Sequence, residues 1–310
     1  MKLIKLTKKQ LIVRVILLII LLIAAYIVLC IRACPKWEPA EVTPQFQQTR
    51  ENPYINPAGD TQATRILPPE GYTRTEAAEG SFLAFMREQP VYGDGSMIYV
   101  WDGSVMSGAG AAAVYTMSVV KDQQCADSII RLWSEYFRAT DQTDRLAFHY
   151  SNGTLCDYES WRGGKRMLAF GEWAHWVQLK GHSDSDKTFY SYLASVMHYA
   201  GTLSLEAESV PITPEEAHTG DILCHGGAPG HAVLIVDEAE NTDGERVFLL
   251  AQGFIPAQSC QILAGYGGAD SPWYTEAQLA GDPEIKDHPI YLEGYIFRGD
   301  GILRRWNGGF

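Results

Sequence analysis

The feature that most constrains this chain is a long apolar run near its N-terminus. Residues 15–31 (VILLIILLIAAYIVLCI) contain no charged side chain, and residues 11–13 extend the run beyond Arg14. A helix of about 20 apolar residues crosses the hydrocarbon core of a bilayer, whereas the apolar part of a cleaved signal peptide is usually about 7 to 15 residues long. The sequence therefore predicts an uncleaved transmembrane anchor over residues 11–31.

The charges around this run predict its orientation. Four lysines lie within residues 1–10, which are therefore predicted to be a cytoplasmic tail, with everything after the span outside the cytoplasm, in the periplasm or on the cell surface. A lipoprotein is the alternative, because Cys34 stands where a lipobox would place its cysteine. Arg32 is a poor match to such a box.

The rest of the chain is strongly acidic. The whole sequence has 25 Lys and Arg against 37 Asp and Glu, and residues 1–35 contain six basic and no acidic residues. Residues 36–310 therefore carry 19 basic and 37 acidic residues, a net charge of −18. Such a surface repels phosphate backbones, so nucleic acid is not an expected partner.

Composition divides the part beyond the anchor into two regions. Residues 32–64 are rich in Pro, Gln, Asn and Thr and lack apolar periodicity, which predicts a flexible tether. Residues 65–310 have the alternating apolar and turn-rich segments of one extracytoplasmic domain. Within it, residues 157–187 interleave Trp and His with polar residues, a pattern that fits either a sugar or peptide groove or a packed core.

Cys125 is the candidate nucleophile. An apolar face with helical spacing (Ala126, Ile129, Ile130, Trp133 and Phe137) follows it, and Asp122 is the candidate N-cap, which places Cys125 in the first turn. Free N–H groups and the helix dipole in a first turn lower a thiol pKa and stabilise an oxyanion. The competing interpretation is that the four cysteines at positions 125, 156, 224 and 260 form two disulfides, with three possible pairings.

Residues 220–258 predict a hairpin that holds a base and its partner. One strand-like run begins at His231 and the next ends at Gln252, with a turn-rich loop between them. A hairpin centred between Asn241 and Thr242 would put His231 directly opposite Gln252, on the same face. Gln252 would then fix the imidazole tautomer.

A metal site is the other interpretation of this region. Asp221, Cys224, His225 and His231 are ligand-type residues, but their spacing fits no closed zinc pattern. We therefore expect neither a metal nor an organic cofactor.

Together these segments resemble the papain-like cysteine hydrolases of the NlpC type, many of which are cell-wall peptidases or amidases. The resemblance rests on the helix-initiating Cys125, on Gly-Asp-Ile-Leu at 220–223, on Gly230-His231 opening a strand, and on Gln252. It implies an α+β fold with a papain-like core, in which an antiparallel sheet packs on the helix that starts at the cysteine. The chain lacks the common Asp-Cys-Ser-Gly sequence, and its interval from Cys125 to His231 is longer than is usual.

Residues 65–310 also resemble, more closely, an uncharacterised bacterial family of membrane-anchored or lipoprotein-like domains. The matching segments are PPEGY, QQCAD, RLWSEY, YAGTLSLE, GHAVLIVD, FLLAQ and PAQ. That resemblance implies no activity.

The resulting hypothesis is a membrane-anchored hydrolase that cleaves an amide bond in an envelope peptide or in peptidoglycan. Cys125 attacks, His231 transfers the proton and Gln252 orients His231. The candidate oxyanion and pocket residues are Gln124, Gly230 and Gln258. The alternative is a non-catalytic envelope protein that retains the scaffold for binding.

Overall fold

The computed structural model describes residues 7–33, 35–106, 110–265 and 270–309, which form a mixed α+β structure. Two single turns of 3₁₀-helix, Thr143–Arg145 and Pro214–Glu216, accompany the α-helices. The helices are α1 (Lys8–Ala33), α2 (Gln62–Arg65), α3 (Phe82–Arg87), α4 (Cys125–Ala139), α5 (Tyr158–Arg162), α6 (Asp186–Tyr199), α7 (Thr202–Ala207) and α8 (Glu276–Ala280).

The predicted N-terminal helix is present as α1. Its stretch Lys8–Tyr26 has a mean hydropathy of 2.2 and none of it is buried, so it has the length and composition of a signal anchor or membrane span. Residues 1–6 and Cys34 lie outside the described residues. The start of the predicted basic tail and the alternative lipid-attachment site therefore have no structural description.

Residues 35–61, predicted to be part of a flexible tether, lie along the surface of the folded domain. Pro39 forms a β-bridge with Val120, and Phe46 forms one with Ser96. Trp37 stacks on Tyr190 with ring centroids 4.6 Å apart. The segment therefore adds packing contacts to the domain, whose first helix, α2, begins at Gln62.

The main element is a nine-stranded sheet in which every paired strand is antiparallel, in the order β4-β13-β12-β11-β10-β17-β9, with β1 beside β11 and β14 beside β12. Its strands are β1 (Tyr72–Arg74), β4 (Ala111–Val114), β9 (Ser209–Pro211), β10 (Ile222–His225), β11 (His231–Asn241), β12 (Arg246–Gln252), β13 (Gln261–Leu263), β14 (Trp273–Thr275) and β17 (Leu303–Trp306).

The remaining strands form four two-stranded hairpins. They are β2 (Ile98–Tyr99) with β3 (Val105–Met106), β5 (Ala147–His149) with β6 (Leu155–Asp157), β7 (Lys165–Phe170) with β8 (Trp173–Gln178), and β15 (Ile290–Leu292) with β16 (Tyr295–Phe297).

The two faces of the main sheet bury different apolar clusters. Ala232, Leu234 and Val236 of β11 pack with the apolar face of α4, including Ile129 and Ile130. The alternate residues of β11 point to the other face, where they pack with β15, β16 and α8. The prediction of an antiparallel sheet packed on the helix that starts at Cys125 is therefore confirmed.

The hairpin of β11 and β12 has the predicted ends but not the predicted register. The ladder pairs Leu234 with Ala251, and a bulge between Ile235 and Asp237 shifts it by one residue. Continuing the ladder places Val233, not His231, opposite Gln252. The symmetric register was wrong because the turn closes at Asn241 and Glu245, and the extra residue of the bulge in β11 offsets only part of that displacement.

A buried ion-pair cluster ties the N-terminal part of the domain to β11. The Asp237 carboxylate, which has no exposed surface, accepts hydrogen bonds from Nε of Arg74 and Nε of Arg87, both at 2.8 Å. Arg74 ends β1 and Arg87 ends α3. A fully buried carboxylate requires such partners, so the cluster fixes both elements against the strand that carries His231.

Candidate active site

Cys125 is the first residue of α4, but the cap differs from the prediction. The N-cap is Gln124, not Asp122, and its N–H donates to Oδ2 of Asp127 at 2.9 Å. Asp127 is the third helical residue, so its carboxylate reaches back over the first turn and accepts from the N–H of the N-cap residue itself. The first N–H groups of α4, including that of Cys125, have no acceptor within the helix.

Burial determines the protonation state of the Cys125 thiol. It raises the thiol pKa above its ordinary value, and the nearby Asp127 carboxylate also raises it. Hydrogen bonding to the backbone N–H groups of Ala232, Ala126 and Cys125 itself lowers the pKa but does not compensate. A first-turn position lowers the pKa of an exposed thiol, but Cys125 is only 5 % exposed. The expected decrease in pKa was therefore wrong. Cys125 rests as a neutral thiol.

His231 and Gln252 are joined by a hydrogen bond. Nε2 of His231 lies 2.6 Å from Oε1 of Gln252, and the amide nitrogen of Gln252 donates to the carbonyl of Glu293 at 3.2 Å. Because the Glu293 carbonyl accepts from the amide nitrogen, the amide oxygen faces the imidazole. Nε2 therefore carries the proton, and Nδ1 has the free lone pair of a base.

Burial also keeps this imidazole neutral. Desolvation lowers the pKa of His231 to about 4, and the hydrogen bond that the imidazole donates to Gln252 offsets only part of the decrease. The imidazole is therefore unprotonated at neutral pH.

Cys125 and His231 approach the same strand from its two sides. The backbone N–H of Ala232, the residue after His231, is near enough to the thiol to lower its pKa, and the Ala232 side chain lies on the face covered by α4. The His231 ring packs on the other face, with its centroid 5.8 Å from that of Phe297. No hydrogen bond joins the thiol to the imidazole among the described residues. His231 begins β11, so only the end of one strand separates the two groups.

The end of β12 packs against the first turn of α4. A Cβ atom built on Gly253 would lie 2.3 Å from Oγ of Ser128 and 2.7 Å from the carbonyl oxygen of Gln124. This close approach requires glycine, and it places the residue after Gln252 directly against the turn that carries Cys125.

Tyr295 is a site residue that the sequence did not indicate. Its ring centroid is 4.7 Å from that of His231. Burial raises the pKa of Tyr295, and the charges of Cys125 and Cys224 raise it further. Tyr295 begins β16 and is 64 residues beyond His231 in the sequence, with no local pattern that links them.

Cys125 lines a cleft of about 540 Å³, which we call the Cys125 cleft. Gln124, Gly230 and Asp127 also line it, and at its edge Nδ1 of His198 lies 3.0 Å from Oδ2 of Asp122. Two of the predicted pocket residues, Gln124 and Gly230, are thus beside the nucleophile.

Gln258, the third predicted pocket residue, is not among the lining residues of this cleft. It is 3 % exposed, forms a β-bridge with Val100 and donates from Nε2 to Oε1 of Gln261 at 3.4 Å. Gln258 therefore lies in the core, on the segment that connects β12 to β13.

The four cysteines of the domain are free thiols, and all four are buried. Neither of the two disulfides in the competing interpretation forms, so the Cys125 thiol is not blocked by a disulfide to Cys156.

The residues considered for a metal site do not form one, although His225 and His231 are opposite each other on β10 and β11. Within the described ranges no group of three or more His, Cys, Asp or Glu could hold a metal ion. Asp221 instead accepts from Nε and Nη2 of Arg305, at 2.8 and 2.7 Å. Cys224 lies with Ala232 on the α4 face of the sheet, whereas His231 points to the other face.

The aromatic residues of the 157–187 segment have two different positions. Trp161 is buried in the core, and Trp173 is 49 % exposed at the start of β8. Neither lines the Cys125 cleft.

A family model described as "Domain of unknown function (4846)", DUF4846, matches residues 62–286. The match spans the Cys125 cleft and the whole hairpin of β11 and β12. No curated protein and no solved structure matches the chain significantly.

Proposed function

The chain belongs to the DUF4846 family, whose description assigns no activity, and we propose from its own site that it is a membrane-anchored cysteine hydrolase. In this proposal α1 is the anchor and the domain lies outside the cytoplasm. Its substrate is an amide bond in an envelope peptide or in peptidoglycan. The fold is a variant of the papain-like core of NlpC-type hydrolases.

One observation carries the proposal. Cys125 opens a helix and lines a cleft, the backbone N–H that follows His231 acts on its thiol, and Gln252 holds His231 in the tautomer of a base. A nucleophile, a base and an orienting group are the minimum set for covalent amide hydrolysis.

The mechanism starts from two neutral groups. Nδ1 of His231 takes the thiol proton as the Cys125 sulfur bonds to the carbonyl carbon of the substrate, so no thiolate need exist beforehand. The Cys125 N–H donates to the developing oxyanion. The C–N bond then breaks, His231 returns the proton to the leaving amine, and water hydrolyses the thioester with His231 again as base.

This step requires the thiol and imidazole to meet around the end of β11. Catalytic hydrogen bonds in ligand-free enzymes are often long and tighten when substrate binds. Gly230 lines the cleft immediately before His231, at the strand end around which the two groups must meet.

The test uses the full-length protein in detergent micelles. Wild type is expected to release fragments from purified peptidoglycan or from acyl-peptide substrates, and Cys125→Ala to release none. Cys260→Ala, which alters a buried thiol away from the cleft, is the matched control and should retain activity. Activity that persists in Cys125→Ala, or wild type that cleaves neither substrate, would sink the proposal.

A second candidate function is supported by the resting state of the site. A buried thiol of raised pKa without a hydrogen bond to His231 fits a domain that binds an envelope ligand without cleaving it. In that case peptidoglycan should bind equally to wild type and to Cys125→Ala, with no product from either.

A further inference from the structure

A second pocket adjoins the Cys125 cleft. It has a volume of about 520 Å³ and lies between the hairpin of β5 and β6, helix α7 and the C-terminal residues 306–308. Ser151 and Leu203 line both cavities, so they form one groove that leads away from the nucleophile. We call the second cavity the Glu208 pocket.

Glu208 has an unused acceptor in this pocket. Its side chain is only 10 % exposed. Oε1 accepts from the backbone N–H of His149 and lies 2.5 Å from Nδ1 of the same residue. Oε2 is buried and has no hydrogen-bond partner among the described residues. Leaving a buried carboxylate oxygen without a donor is costly, so this atom indicates a ligand with an N–H or O–H group.

The walls of the pocket are largely apolar. Leu155 is 42 % exposed and Leu203 52 % exposed, and Ala147 and Ala207 line the same cavity. Aliphatic walls around one carboxylate oxygen fit an alkyl chain that ends in a charged donor.

Arg145 is the one Lys or Arg among the described lining residues, and its donors are already used. Its Nη1 donates to Oε1 of Gln142, and its Nη2 donates to the carbonyls of Gly308 and Gly309. Arg145 makes no ion pair with Glu208, and the His149 imidazole, which does contact the carboxylate, contacts Oε1 and leaves Oε2 for a ligand's cation. The net charge of −18 on residues 36–310 further favours a cationic ligand.

We propose that the Glu208 pocket is a substrate subsite that binds an alkylammonium side chain, such as that of a lysine-like residue, while the adjoining chain crosses Ser151 and Leu203 to Cys125. This proposal rests on the proposed function and deepens it. The substrate is an extended peptide with a diamino acid residue, rather than a small isolated amide.

Binding is measured with full-length Cys125→Ala in detergent micelles, so that turnover does not interfere. The probes are acetylated Ala/Ser hexapeptides that carry one lysine at each position in turn, and the same peptides with norleucine or acetyl-lysine in its place. At one position, lysine should bind about tenfold more tightly than norleucine, a difference of about 1.4 kcal/mol, with acetyl-lysine between them, because only lysine brings a charged donor to Oε2.

Adding Glu208→Gln should remove this preference. The variant keeps an acceptor for His149 but replaces the unused oxygen with an amide donor. Glu215→Gln, which changes an exposed carboxylate outside the groove, is the matched control and should preserve the preference. Unfolding midpoints measured in parallel identify a variant that fails to fold, and in that event the lysine and norleucine comparison still decides.

Equal affinity of lysine and norleucine peptides at every position would overturn the subsite, as would no binding of any peptide. Neither result bears on the nucleophile, because hydrolysis by wild type and its loss in Cys125→Ala are measured separately.

Discussion

The His231 imidazole and the Gln252 amide form a 2.6 Å hydrogen bond although the two residues do not face each other across the hairpin. They are diagonal neighbours on one face, because the ladder places Val233 opposite Gln252. The glutamine side chain is long enough to span that diagonal. The bond fixes the imidazole proton on Nε2 and leaves Nδ1 as the basic nitrogen, so the tautomer depends on the Gln252 side chain.

Replacing Gln252 with Glu should shift the acid limb of the pH profile. A buried carboxylate beside His231 stabilises the imidazolium and raises its pKa from about 4 towards neutrality. We expect kcat/KM at pH 5 to decrease by at least about tenfold, with recovery at higher pH. The pH dependence of kcat/KM in the two proteins measures this shift. Gln48→Glu, which adds the same charge at an exposed position, should leave the profile unchanged. An unmoved acid limb in Gln252→Glu would show that Gln252 does not control His231.

His231 should also make stability dependent on pH. Its pKa is about 4 in the folded state and near 6.5 in the unfolded chain, so the unfolded state binds more protons between these values. The free energy of unfolding should therefore be highest above pH 6.5 and decrease as the pH falls towards 4, by about 3 kcal/mol in total.

Urea unfolding at pH 7, 5.5 and 4.5 measures this dependence. In His231→Gln the decrease should be smaller by that amount, while His182→Gln, which changes an exposed histidine, should behave like wild type. Parallel pH curves for wild type and His231→Gln would contradict the assignment.

The parts of the site that were predictable follow from short-range periodicity. Alternation with period two put His231 and Gln252 on one face of the symmetric hairpin, and the observed register keeps them there because it is displaced by two residues, an even number. The helical spacing of apolar residues after Cys125 placed that residue in a first turn. Neither prediction required knowledge of distant residues.

The parts that were missed depend on tertiary context. The bulge at Ile235 and Asp237 has no turn residue to mark it, and the cap on Gln124 depends on whether Asp127 turns back or outwards. The thiol pKa depends on burial under a sheet distant in sequence, and the contact of Tyr295 with His231 depends on how a C-terminal hairpin packs. Sequence spacing contains none of this information.

Asp237→Asn should destabilise the whole domain. The substitution leaves the guanidinium groups of Arg74 and Arg87 beside a neutral amide in a buried site, and breaking a buried ion pair costs about 3 to 5 kcal/mol. Chemical denaturation measures the difference. Asp243→Asn, in the exposed turn of the hairpin, should change the free energy of unfolding by less than about 0.5 kcal/mol. Equal stability of the two variants would mean that the cluster contributes little.

Gly253→Ala tests whether activity depends on the contact between β12 and the first turn of α4. The added Cβ would lie 2.3 Å from Oγ of Ser128 and 2.7 Å from the backbone oxygen of Gln124, so the turn that carries Cys125 must move away from the strand that carries Gln252. Overpacking of this kind costs about 1 to 3 kcal/mol. Because displacements of about 1 Å in a catalytic set reduce rates by about a hundredfold, we expect a loss of kcat far larger than the loss of stability implies.

Steady-state kinetics with thermal unfolding of the same samples separates the two effects. Gly181→Ala, where the added atom would meet nothing within 4 Å, is the matched control and should keep full activity. A Gly253→Ala protein with wild-type kcat would mean that the strand end and the helix start do not work as one site.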